Sequence, residues 1–433
     1  MTARHDNAGG AWLRLAALCI VAAVGCDQQL EVLTLASDSA RGGGGSSSGE
    51  VCAGGCEGDT VCSGGRCIGP PALALVATGS RHSCQVQDGE LSCWGDNRVG
   101  QLGIGDQVSR ASPVRVGMER DWMTVTAGAN HTCGLRGQGA IYCWGDNGQG
   151  QLGNGTASGV RTRPRSVGAW SDVVDLRCGA YNCCALRRNA GLYCWGANLD
   201  GSAGIGGTGM TPVTEPTRVA PVSSFSSAFS VGWGHSCAIR RDRSLFCWGS
   251  NSDGQLGQGE TRAASNIPAQ VLEDKDWLRV AAGLQYTCGV RRGGELSCWG
   301  ANEAGQLGIA SNALDGTSIA ADIPNPVGVT GGWSEIAAGG AHTCGLKFSG
   351  ELHCWGRGNV GQLGIGGEAG ARAPTLVAGA MRWTSVAVGA EHTCASDLEH
   401  EVYCWGRNAA GQLGLGDMLN RDEPTAVLAP EAP

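Results

Sequence analysis

From residue 72 onward the apolar residues come in short runs, each cut by glycine, and no stretch sustains a helical period. Residues 121–168 show the pattern. DWMTVTAG (121–128) reads as one strand, with Trp122 and Val125 in its body, and HTCGL (131–135) reads as the next. AIYCWG (140–145) follows a glycine turn, and RPRSVG (163–168) reads as an edge strand after a loop. Trp, Val, Tyr and Ile between glycine clusters are strand residues between turns. Trp122, Trp170, Trp277, Trp333 and Trp383 read as the openers of such strands.

The pattern repeats. CWG occurs at Cys93, Cys143, Cys194, Cys247, Cys298, Cys354 and Cys404, with gaps of 50, 51, 53, 51, 56 and 50 residues. A second cysteine stands nine or ten residues before each: Cys84, Cys133, Cys184, Cys237, Cys288, Cys344 and Cys394. Seven units of four short strands over residues 72–430 predict an all-β chain, a seven-bladed β-propeller. The Trp of each CWG then packs between blades.

The unit W-x-x-V-A-A-G…H-T-C-x-L…G-x-L-x-C-W-G-x-N-x-x-G-Q-L-G resembles the repeat of the regulator of chromosome condensation family, whose members form seven-bladed propellers. Six units carry Gly-Gln-Leu-Gly, at 100–103, 150–153, 254–257, 305–308, 361–364 and 411–414, and the third has Gly-Ser-Ala-Gly at 201–204. If the ring closes as in that family, the first strand, ALALVATG (72–79), completes the last blade beside the edge strand PTAVLA (424–429).

Gly148, Gly150 and Gly153 spell G-x-G-x-x-G, but a dinucleotide loop needs a helix after it, and none follows Gly153. No other unit has glycine at the position of Gly148. One residue earlier stand Asn97, Asn147, Asn198, Asn251, Asn302 and Asn408, with Gly358 in the sixth unit. Asn and Gly both tolerate positive φ, so this column is expected to be a left-handed turn.

Cysteines nine or ten apart across a glycine turn face each other on a hairpin, within reach of a disulfide. The expected pairs are Cys84–Cys93, Cys133–Cys143, Cys184–Cys194, Cys237–Cys247, Cys288–Cys298, Cys344–Cys354 and Cys394–Cys404. Each ring is worth roughly 2.5–3 kcal/mol of loop-closure entropy. Cys178 and Cys183 remain in the third unit and can pair with each other, with register uncertain because Cys183 and Cys184 are adjacent. His82, His131, His235, His342 and His392 stand two residues before a first cysteine, with Asn182 and Tyr286 in the other units. Ligands spread one per blade do not converge on one ion, so a structural hydrogen bond to a turn is expected, with no metal and no cofactor.

The N-terminus reads differently. Arg4 and Arg14 precede the apolar run LAALCIVAAV (15–24), too short to span a bilayer, and Ala-Val-Gly-Cys follows at 23–26. This resembles the lipobox of bacterial lipoproteins, with Ala23 where Leu is usual. The expectation is a signal peptide over 1–25 and lipidation at Cys26, the protein being anchored at the cell envelope or simply secreted. A Gly/Ser linker follows (26–50), then a stalk (51–71) whose Cys52, Cys56, Cys62 and Cys67 favour two disulfides over a zinc site.

Net charge is −8 with no basic run, which speaks against nucleic acid as a partner. No H-E-x-x-H, G-K-[ST] or G-x-S-x-G occurs, so no enzyme is expected. Repeats account for the most conspicuous residues, leaving the loops at 155–163, 206–218, 259–267 and 309–325 to carry recognition. The favoured reading is a monomeric, surface-tethered module that binds a protein or glycan and meets the membrane only through its lipid. The resemblance also implies guanine-nucleotide exchange on a small GTPase, which an exported chain could not reach. Secreted propellers of similar repeat include a β-lactamase inhibitor protein, so inhibition of an extracellular enzyme is a third reading.

Overall fold

The computed structural model describes residues 61–63, 66–68, 75–207, 211–220, 224–259, 263–309, 320–328 and 331–430. The chain divides into two compact units, residues 1–72 and 73–433. In the first, the backbone of Val61–Ser63 pairs antiparallel with Arg66–Ile68, which sets position 62 opposite position 67. The expected leader with Cys26, the linker, and Cys52 and Cys56 lie outside the described residues.

The second unit is seven antiparallel sheets of four strands, each laid down in sequence order. The strands of blade 1 are Leu75–Thr78, His82–Gln87, Glu90–Gly95 and Arg110–Arg115. The innermost strands of blades 2 to 7 are Trp122–Ala127, Val173–Cys178, Phe225–Val231, Trp277–Ala282, Trp333–Ala338 and Trp383–Val388. Their ends surround one axial cavity, lined by Thr78, Ala127, Cys178, Val231, Ala282, Ala338 and Val388, one residue from each blade.

The ring does not close by an exchanged strand. Leu75–Thr78 pairs with His82–Gln87 in blade 1, and blade 7 builds all four of its strands from residues 383–426. The chain enters each unit on an inner strand and leaves it on an outer one, so every sheet is complete. Closure is left to contacts between blades. In blade 2 the outer strand runs Val160–Ser166, beginning earlier than the sequence suggests, because Val160 and Arg161 pair with Asp146 and Gly145 across a bulge. Trp170 does not open a strand either. Val173 takes that place, and Trp170 packs edge-on against Tyr193 at 4.9 Å.

The core lies between blades rather than at one centre. Cys84, Leu91, Leu102 and Val116 of blade 1 pack with Trp122, Val125 and Trp144 of blade 2. Trp94, Trp144, Trp195, Trp248, Trp299, Trp355 and Trp405 are fully buried, each worth about 4–6 kcal/mol of gross hydrophobic stabilisation.

Cysteines are joined at 84–93, 133–143, 184–194, 237–247, 288–298, 344–354 and 394–404, with Cα atoms 4.1 Å apart in every case. Each links directly opposed residues of the second and third strands, at the narrow spacing of a non-hydrogen-bonded pair. Blade 3 has one more bond, Cys178–Cys183, between its first and second strands.

Candidate functional site

One set of hydrogen bonds repeats at the joints between blades. The Trp144 indole N–H and the Thr132 hydroxyl, both of blade 2, donate to the Gln101 carbonyl of blade 1 at 2.9 and 2.8 Å. His82 Nε2 of blade 1 lies 2.9 Å from that same hydroxyl. Thr132 has spent its one proton on the carbonyl, so His82 donates and carries its proton on Nε2. The arrangement recurs with His235–Thr287 at 2.8 Å, His342–Thr393 at 2.9 Å and His392–Ser83 at 2.9 Å. Tyr286 substitutes by donating its hydroxyl to the His342 carbonyl at 2.5 Å. His82, His235, His342 and His392 therefore bond the next blade's hydroxyl, not a turn as the sequence suggests. Burial pushes His82 and His235 down to about 4, and His131, His342 and His392 down to about 3. Neutral rings fit this donor role.

The asparagine column is also corrected. None of these residues has positive φ; Asn198 has φ −126°. The side chain is instead a clamp. Asn147 Oδ1 accepts the Leu152 N–H at 3.0 Å, while Nδ2 donates to the carbonyls of Thr156 and Ser158. The left-handed turns belong to the glycines of the GQLG segment. Gly153 has φ +62°, and a Cβ there would stand 2.9 Å from Trp195 Nε1. A Cβ on Gly148 would meet nothing closer than the Asp146 carboxylate at 3.5 Å.

Besides Tyr286 in blade 5 and Gly358 in blade 6, several exceptions to the repeat lie together at blades 3 and 4. Asn182 replaces the histidine, and both its amide atoms are buried without a hydrogen-bond partner. Cys183 replaces the hydroxyl residue, so His131 Nε2 faces sulfur at 3.1 Å. Gly-Ser-Ala-Gly replaces Gly-Gln-Leu-Gly, and a 3-10 turn over Leu199–Gly201 leaves Leu199 56% exposed. In the turns after the innermost strands, Trp233 stands where other blades have Ser80, Ala129, Ala180, Leu284, Gly340 and Ala390. Tyr181 packs edge-on against Trp233, ring centres 6.5 Å apart, and is itself 36% exposed. The Ala197 N–H donates to the Tyr181 carbonyl at 2.8 Å, bringing the Leu199 turn to the same rim.

This rim borders the axial cavity, which Trp233 and Ala180 help to line. The cavity holds about 80 Å³, against the roughly 300–1,000 Å³ of a small-molecule pocket. A ligand there would lie on the surface rather than inside. On the innermost strand of blade 3, Arg177 pairs with Asp175 at 3.2 Å and feels Glu335 of blade 6. Burial pushes Glu335 up to about 7, although Arg177 and Arg279 pull the other way. His131, Cys133, Cys178 and Cys183 bring ligand-type atoms within 4.8 Å of one another. Their sulfurs are tied in disulfides, and a metal needs thiolates.

Sequence reading looked for recognition in the outer loops. Residues 155–163 are described in full, whereas 208–210, 260–262 and 310–319 lie outside the described residues. Tyr181, Trp233 and Leu199 were missed: Trp233 departs from a column of mostly small residues, whereas the columns of Tyr181 and Leu199 vary from blade to blade and carry no signal.

The profile of the RCC1-like domain matches residues 62–318, and the regulator of chromosome condensation (RCC1) repeat matches 349–396 and 399–432. Over 327 residues the chain is 30% identical to the ultraviolet-B receptor UVR8 of Arabidopsis thaliana, covering 71% of this chain and 70% of that one. It is 32% identical to the probable E3 ubiquitin-protein ligase HERC6 of Homo sapiens over 213 residues, 47% of this chain but a fifth of that one, at 20%. Among solved structures, Prp20p from Saccharomyces cerevisiae, described with its binding to Gsp1p and histones, superposes with a TM-score of 0.69 at 21% identity. That match covers 83% of this chain and 86% of Prp20p. By these matches the chain belongs to the regulator of chromosome condensation (RCC1) repeat family of β-propellers.

Proposed function

We propose that this chain is a non-catalytic binding propeller, tethered outside the cytoplasm by a lipidated Cys26, that docks a protein on its axial rim at blades 3 and 4. The pair formed by exposed Tyr181 and half-buried Trp233 carries this reading. Aromatic rings at a rim supply large contact area at low entropic cost, and Trp233 departs from a column of mostly small residues. The small axial cavity supports a surface contact. The many paired cysteines support an oxidising compartment, which separates this chain from a cytosolic GTPase. A protein is favoured over a glycan because Prp20p is described with protein partners.

The test is capture from envelope extract by the full mature chain, compared with a Tyr181→Ala/Trp233→Ala variant. Phe348→Ser/Leu398→Ser is the control, since these exposed residues sit in turns after the second strands, on the opposite face. Loss of capture only in the aromatic variant supports the rim. Loss only in the control variant places the site on the other face. Release of captured material by free sugar marks a glycan ligand instead.

A further inference from the structure

Of the eight described disulfides, seven follow the repeat and are wholly buried. The eighth does not. Cys178 is half-buried and lines the axial cavity, whereas its partner Cys183 is fully buried. Cys183 Sγ lies 3.1 Å from His131 Nε2 and 3.7 Å from Cys133 Sγ, which belongs to the disulfide of blade 2. A disulfide sulfur has no proton to give, so the imidazole N–H donates to Cys183. Three features that favour a relayed thiol exchange stand together: an entry cysteine that lines a cavity, a leaving sulfur with a hydrogen-bond donor, and a second disulfide in contact with it.

We propose that Cys178–Cys183 is a thiol-exchange site, entered by a small thiol through the axial cavity, which converts two bonds within blades into one bond between blades 2 and 3. The external thiolate attacks Cys178 Sγ. A mixed disulfide forms there, the Cys178–Cys183 bond breaks, and its electron pair leaves on Cys183 as a thiolate, held by the His131 N–H. The Cys183 thiolate then attacks Cys133 Sγ. The Cys133–Cys183 bond forms, the Cys133–Cys143 bond breaks, and Cys143 leaves as a thiolate that takes up the proton given up by the external thiol. One thiol is consumed as an adduct, the number of disulfide bonds is conserved, and no other oxidant or reductant enters. Attack at the Cys178 end is set by access, because Cys178 is half-buried and lines the cavity whereas Cys183 is fully buried.

The exchange also touches the rim. Tyr181 lies inside the short loop that Cys178–Cys183 closes, so opening this bond unstaples the turn that presents the ring. The chemistry does not depend on the binding reading, and its test follows bonds alone.

The full chain is exposed to reduced glutathione under native conditions, quenched with N-ethylmaleimide and mapped as non-reduced peptides. The glutathione adduct is expected on Cys178, about tenfold faster or more than on any other described cysteine, together with a Cys133–Cys183 cross-link and alkylated Cys143. Loss of all eight bonds at one rate overturns the proposal. An adduct on Cys178 with Cys133–Cys143 intact overturns the relay step. A Cys178→Ala/Cys183→Thr variant, which restores the hydroxyl of the other joints, is expected to fold and to lose the fast phase. A fast phase that survives in it also overturns the assignment.

Discussion

Nε2 of His392 in blade 7 donates to the hydroxyl of Ser83 in blade 1 at 2.9 Å, and Ser83 in turn donates to the Gln412 carbonyl at 2.9 Å. These bonds join residues 309 and 329 positions apart and close the ring. Trp94 donates to the same carbonyl. The seam between the ends of the propeller is thus built like the joints inside it.

Ser83→Ala leaves a buried imidazole N–H without an acceptor, at a cost of about 1–3 kcal/mol. Ser236→Ala at the joint of blades 3 and 4 removes only the bond to the Ser202 carbonyl at 3.2 Å, with no imidazole behind it, and costs about 0.5–1.5 kcal/mol. Urea unfolding of the two variants measures the difference. Equal costs would deny the imidazole its place in the latch.

Asn182→His restores that latch where the repeat lacks it. The present amide is buried with neither atom bonded, so a ring able to reach Ser236 is expected to stabilise by about 1–2 kcal/mol. A higher melting temperature by calorimetry is the outcome that counts. A lower one would show that the joint is shaped for the smaller side chain.

Acid weakens the ring. The five imidazoles take up protons at 6.5 when unfolded and at about 3 to 4 when folded. Between those values the unfolded chain binds more protons, so stability rises with pH there and is lost as pH falls below 6.5. Glu335 works the other way. Its folded value of about 7 exceeds its unfolded 4.5, so its contribution is present below 4.5 and lost as pH rises through 7. Five rings outweigh one carboxyl, and melting temperature is expected to fall steadily from pH 6.5 toward 4. A melting temperature that rises on acidification would contradict the neutral-ring assignment.

The two glycines of the apparent phosphate loop separate on substitution. Gly148→Ala has room and a permissive backbone, and stays within about 0.5 kcal/mol of the parent. Gly153→Ala meets positive φ and the Trp195 indole together, and costs about 2–4 kcal/mol. Thermal unfolding distinguishes them.

Much of the fold was legible because each column of the repeat carries one physical demand. The CWG and GQLG segments fix blade number and register, since their Trp and Gly positions have no alternative use. The asparagines misled because a residue that tolerates positive φ also offers an amide that clamps a loop, and composition cannot tell these apart. His partners were misplaced because the hydroxyl acceptor lies about fifty residues away, in the next unit. Ring closure was carried over from resemblance, while the strand order inside this chain gives complete blades. Tyr181 and Trp233 stayed hidden among the other aromatics because their contact, at the edge of the axial cavity, joins residues of two different units.

The most direct test of the whole account is a non-reduced peptide map of the protein taken from its own cell envelope, alkylated at harvest with no added thiol. Eight bonds, each within a single blade and including Cys178–Cys183, with no alkylated cysteine between residues 75 and 430, is the predicted result. Bonds joining distant blades, or free thiols throughout the hairpins, would contradict it.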